Sequence, residues 1–222
     1  MHKPLSEINQ KELIIDVVKK TPKPAIYIGH FYFVDFNVFG MEKPVYFNMI
    51  RDPIDRFVSH YYYRRFGDVQ RRNKNWKGWF KPDEKSINDC IIERQKECAS
   101  DDILSDTIHF FCGQHPECRH PTVTALQRAK RNVINDYLVV GTMEKFTDLV
   151  KVLERLLPKF FDGALNIWLK ANRDKLNEFK TLNKGNLTLK AREILLKDLS
   201  LEYDFYNFII SRFDALKQRL NL

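Results

Sequence analysis

The sequence predicts a single α/β domain with a central, mostly parallel sheet flanked by helices. Three observations predict it. Two compact apolar runs rich in β-formers stand at residues 44–50 and 137–141. Each leads into a long helical pattern, the alternation that parallel sheets require. No linker, repeat or low-complexity tract divides the 222 residues, a length that suits one domain with a sizeable core.

The elements follow in order. Residues 6–20 read as an amphipathic helix with Leu13, Ile14 and Val17 on one face, broken by 21–24. Residues 25–28 read as a short strand ending at Gly29-His30, and 44–50 as a buried strand. Arg51-Asp52-Pro53 follows at once, where Asp52 is a good N-cap and Pro53 suits the first helical position. The helix runs over 54–66 and stops near Gly67. Residues 68–86 are polar, basic and aromatic and read as a surface loop. A helix over 86–97 precedes an irregular cysteine-bearing stretch to Pro121. Then come a helix over 125–135, the second buried strand, a helix over 145–157, a mixed segment and a final helix over 190–218.

Hydrophobic residues make up 44% of the chain and aromatics 13%, which excludes the disordered and fibrous classes. The net charge of +8 favours a polyanionic partner: nucleic acid, an anionic membrane or a sulfated polysaccharide. No recognised nucleic-acid-binding motif is present, and that class leaves the paired cysteines unexplained. Cys90, Cys98, Cys112 and Cys118 fall into two close pairs, which in an oxidising compartment read as two short-loop disulfides. The rival is zinc, because His109, His115 and His120 lie nearby, but the spacings do not match the usual zinc knuckle. Asn186-Leu187-Thr188 is a glycosylation sequon. No stretch approaches the length of a membrane span, and no signal-peptide core follows Met1, so a lumenal location requires a leader that precedes this chain.

Several residue types could carry chemistry. Arg51 stands at the carboxyl end of a strand, where open parallel sheets bind ligands, and Ser59 lies two turns into the next helix. Backbone N–H groups and a guanidinium there suit a phosphate. The bland alternative pairs Arg51 with Asp52 or Asp55. His30 ends the earlier strand and could take a proton from a hydroxyl near neutral pH, although most histidines are packed or superficial. The stretch 64–81 interleaves Arg64, Arg65, Arg71, Arg72, Lys74, Lys77 and Lys81 with Trp76, Trp79 and Phe80. Such a run suits an acidic polysaccharide, or is a solvated basic face.

Taken together, the segments YIGHFYFVDF (27–36), PVYFNMIRDPIDRFVSHYYYRRFGD (44–68), FFCGQHPEC (110–118) and YLVVGTMEKFTDLVKVLERLLPKFF (137–161) resemble the heparan sulfate and uronyl 2-O-sulfotransferase family, and more closely its uronyl branch. The resemblance runs from about residue 25 to the C-terminus. It implies a sulfotransferase-type, P-loop-like domain over 1–222 that moves sulfate from 3′-phosphoadenosine 5′-phosphosulfate to the 2-O position of uronic acids in glycosaminoglycans, without a metal. It implies His30 as the base, and Arg51, Ser59, Thr181 and Lys184 as donor contacts. Asp68, Arg71, Arg72 and Lys74 would fall on the acceptor side, and the pairs Cys90–Cys98 and Cys112–Cys118 would be disulfides. It further implies a type II Golgi membrane protein facing the lumen, and it allows a homotrimer. The family's first donor loop, a Gly/Ser/Thr-rich turn with a lysine after a strand, has no counterpart in the sequence and would precede residue 1. Some members carry a second histidine where Ile28 stands. The alternative expectation is a non-catalytic glycosaminoglycan-binding relative that has lost that loop.

Overall fold

A computed structural model gives the fold and describes residues 4–16, 20–74, 78–79, 86–104 and 106–222, without the side chains of Arg72, Asn73, Asp102 and Arg173. Val17 of the expected first helix, and Trp76, Lys77, Phe80 and Lys81 of the basic stretch, lie outside the described residues.

Helix α1 (Glu7–Ile14) is capped by the Ser6 hydroxyl and buries Ile14. Ile14 packs with Val34 and Phe36, so the predicted apolar face of Leu13 and Ile14 meets the 31–41 segment. Residues 25–28, expected as a strand, are not one: they have no strand partner among the described residues, and Ile28 is 88% exposed. An extended run becomes a strand only when its N–H and C=O groups meet a neighbour, and β-propensity by itself does not supply one. His30 therefore follows an unpaired segment rather than a strand end. The chain is fixed immediately afterwards, where Phe33 N–H donates to Phe110 O at 2.8 Å and Gln114 donates to Tyr32 O at 2.9 Å.

Strand β1 (Tyr46–Ile50) leads into α2 (Pro53–Phe66), as the sequence predicts. The next stretch is not all loop, because α3 (Val69–Asn73) opens it. The expected helix over 86–97 is split into α4 (Ile87–Ile92) and α5 (Lys96–Ala99), with Arg94 at positive φ between them. Short helices α6 (Asp101–Leu104) and α7 (Asp106–Cys112) then occupy part of the cysteine region read as irregular. Helix α8 (Val123–Asp136), capped by Thr122, runs directly into β2 (Tyr137–Thr142) and on to α9 (Phe146–Leu156). The mixed segment holds α10 (Pro158–Phe161), α11 (Ala164–Lys170) and α12 (Arg173–Asn177). The single final helix expected is two, α13 (Leu189–Asp198) and α14 (Ser200–Leu220).

Among the described residues the sheet has two strands, β1 and β2, paired in parallel with Asn48 beside Val140 and Ile50 beside Thr142. Period-two alternation gives the strands two buried faces, as parallel sheets need. Ile50 and Val140 join Phe111, Ala129, Phe205 and Ile209 on one side. Val139 joins Leu149, Val152, Leu153 and Phe213 on the other, with Phe47 and Met49 alongside. A separate cluster buries Ile54, Phe57 and Tyr61 of α2 against α4, α6 and α13. Both predicted disulfides are formed, Cys90–Cys98 and Cys112–Cys118. Among the described residues no helix is long and apolar enough to cross a membrane.

Candidate functional site

The site begins where β1 ends. The Asp52 side chain accepts the backbone N–H of Asp55 at 2.9 Å and starts α2 with Pro53 in its first turn. Three groups pin this turn from other elements. Glu144, just beyond β2, accepts the backbone N–H of Asp52 at 3.0 Å. Tyr206 on α14 donates to the other oxygen of Glu144 at 3.0 Å, and Tyr203 donates to Asp52 at 3.0 Å. Burial raises the Glu144 pKa, but the N–H of Asp52 and the Tyr206 hydroxyl outweigh it and leave the pKa below the ordinary value. The Tyr203 hydroxyl is pushed up to about 12, by burial first and then by Asp52.

Helix α2 has two working faces. Ile54, Phe57 and Tyr61 form the core face. Arg56, Ser59, His60 and Tyr63, spaced i, i+3, i+4 and i+7, line a cleft of about 280 Å³ together with Arg51, Asp106 and Thr181. Ser59 Oγ lies 2.9 Å from Thr181 Oγ1. Arg56 reaches the Asp106 carboxylate at 2.7 Å and Ile103 O at 3.3 Å, while its buried Nε has no hydrogen-bond partner among the described residues. Arg51 touches Asp55 at 3.4 Å, so the bland pairing weighed from the sequence is present as a long, exposed contact. The Lys184 pKa is lowered, by burial first and then by the neighbouring Arg51 cation. Two guanidinium groups, an imidazole, the hydroxyls of Ser59, Thr181 and Tyr63, and one carboxylate, that of Asp106, thus line one space, with the Lys184 amine near Arg51.

The segment carrying Thr181 and Lys184 reaches the cleft through backbone pairing. Leu182 N–H donates to Gly67 O at 3.0 Å, Val69 N–H donates to Glu178 O at 3.1 Å, and Asp68 bridges Thr181 in antiparallel fashion. A side chain at Gly185 would collide with the Tyr62 hydroxyl, which shows how closely this segment crosses α2.

Asp68 is buried, and its carboxylate accepts Arg71 N–H at 2.8 Å, closing the first turn of α3. Arg71 stands over the ring of Tyr63, 5.3 Å from its centre, and so borders the cleft. Trp79 meets the same ring edge-on and is 59% exposed. Lys74 is exposed just beyond α3, and the side chain of Arg72 lies outside the described residues. His30 is exposed and is not among the residues that line the cleft. The structure therefore brings Arg51, Ser59 and Thr181 together, sets Lys184 beside Arg51, and leaves His30 off that surface. Sequence reasoning missed Arg56, His60, Tyr63 and Asp106. The helical spacing of the first three opposite Ile54, Phe57 and Tyr61 was the signal that could have found them.

The fold and the cleft define an α/β domain that can hold a phosphate-like anion between a strand end, a capped helix and a crossing segment. The chain belongs to the sulfotransferase family, whose model matches residues 9–209. It is 38% identical to uronyl 2-sulfotransferase of Mus musculus over 98% of this chain and 54% of that protein, and equally so to the Homo sapiens protein. It is 36% identical to heparin sulfate O-sulfotransferase of Drosophila melanogaster over 97% of this chain and 62% of the relative. The chain spans about half the length of the mammalian relatives it matches.

Proposed function

We propose that the protein transfers sulfate from 3′-phosphoadenosine 5′-phosphosulfate to the 2-O position of uronic acid residues in a glycosaminoglycan. The observation that carries this reading is the meeting of Arg51, Ser59 and Thr181 in one cleft beside Lys184, in a chain of the sulfotransferase family. These residues hold the donor's 3′-phosphate. His30 removes the proton of the acceptor hydroxyl, whose oxygen then attacks sulfur. The new S–O bond forms as the bond to the nucleotide's 5′-phosphate breaks, and adenosine 3′,5′-bisphosphate leaves with the electron pair. Cationic side chains stabilise the charge that gathers on the transferring group and the leaving phosphate. Arg71, Arg72 and Lys74 hold the acceptor's carboxylate and sulfates, and Asp68 shapes α3 beneath them. The two disulfides support an oxidising setting, which we take to be the Golgi lumen, with Asn186 glycosylated there.

The test is a sulfate-transfer assay of the protein on desulfated dermatan, chondroitin and heparan acceptors, followed by disaccharide analysis. Label at the 2-O of a uronic acid is the expected result. Label confined to hexosamine positions, or glycosaminoglycan binding with no transfer, would sink the proposal.

A further inference from the structure

His60 has no task in the reaction just described, yet it lines the cleft between Ser59 and Tyr63 on the inner face of α2. The groups that face it are Arg56 and Arg64 on its own helix and Asp106 on α7. Arg51, Tyr63 and the hydroxyls of Ser59 and Thr181 share the same space, with Lys184 beside Arg51. The empty cleft thus has an excess of cations. Burial, then Arg64 and Arg56, push the imidazole down to about 4, against the opposing pull of Asp106. A neutral ring spares the cleft one more positive charge while no anion is present.

A phosphate group reverses that field. It brings negative charge and acceptor oxygens to a half-buried ring, both of which favour the imidazolium. We propose that His60 takes up a proton as a phosphate enters the cleft and donates a hydrogen bond to it, so that nucleotide binding tightens as pH falls. The inference rests on the cleft being the 3′-phosphate site. Arg51 and Arg56 supply permanent charge, whereas His60 supplies charge only when the ligand is in place. A mildly acidic lumen would favour loading, and a neutral medium would favour release.

The test is calorimetric titration of this chain with adenosine 3′,5′-bisphosphate at pH 6.2 and 7.5, each in two buffers of different ionisation enthalpy. His60→Asn, His60→Gln and Arg51→Ala are compared with wild type after circular dichroism confirms that each is folded. The phosphate's own titration is common to all, so the quantities read are differences from wild type. At pH 6.2 the wild type is expected to take up most of a proton more than either His60 variant on binding, and at pH 7.5 only a fraction of one. Its ratio of affinities between the two pH values should favour the acid side about fivefold more than theirs. Arg51→Ala should bind weakly at both pH values and keep the proton uptake. Equal proton counts in wild type and both His60 variants, with Arg51→Ala still weakened, overturn the role of His60 and leave the cleft assignment standing. Affinity unchanged by Arg51→Ala, or no measurable binding at all, overturns the cleft assignment and the inference with it.

Discussion

At the scale of single residues, Arg51 and Ser59 were legible because both sit at fixed offsets from one strand-to-helix junction. Thr181 was not legible by spacing, since it lies 122 residues from Ser59 and only backbone pairing with Gly67 and Asp68 brings it there. A charge-assisted contact from Arg51 to a phosphate stabilises binding by about 1.5–3 kcal/mol. Arg51→Ala should therefore weaken adenosine 3′,5′-bisphosphate binding about ten- to a hundredfold by calorimetry. Unchanged affinity rejects the phosphate role. His30→Ala should abolish transfer and leave that affinity within about twofold, because His30 is not among the cleft residues. Turnover retained in that variant removes His30 as the base.

At the scale of elements, the β1–α2 junction was read correctly from Asp52 and Pro53, but not the groups that hold it. Glu144, Tyr203 and Tyr206 come from beyond β2 and from α14, and nothing local marks them. Glu144→Ala leaves the Asp52 N–H without its acceptor, at a cost of about 1–3 kcal/mol. The expected readout is a lower urea midpoint together with weaker nucleotide binding, since the turn carries Arg51. Because the Glu144 pKa is depressed in the fold, its contribution is complete above the ordinary glutamate value and is lost as pH falls through the depressed one. The stability gap between wild type and Glu144→Gln should narrow on that acid side, in urea titrations across the range; a gap constant with pH refutes the linkage. The 25–28 segment taught the opposite lesson. Its residues favour strands, but β1 pairs with β2 and no partner meets this run among the described residues. Gly78 is a further device at this scale. It sits at φ +84°, where a side chain would collide with the Arg65 carbonyl oxygen. Gly78→Ala should cost about 1–3 kcal/mol in thermal or urea unfolding and disturb Trp79, whose N–H donates to Arg64 O.

At the scale of the whole molecule, two short disulfides staple different clusters. Cys90–Cys98 lies in the cluster that backs α2, and Cys112–Cys118 in the one beneath the sheet. Loop entropy for such short bridges suggests about 2 kcal/mol each. Cys90→Ala/Cys98→Ala should lower stability by that amount in denaturant titrations and loosen the support of the cleft helix; a double variant as stable as wild type contradicts this. By itself the sequence determined the two buried strands, the capped helix after β1 and the close cysteine pairs, because each is written in contiguous residues whose spacing fixes local geometry, and the resemblance of four ordered segments pointed to the family. Only the tertiary structure decided that 25–28 is not a strand, that the last helix breaks at Leu199, and that Arg56, His60, Asp106 and Thr181 share one cleft. The physical reason is that pairing and convergence depend on which distant backbone and side-chain groups arrive at the same place, and no local pattern encodes that arrival.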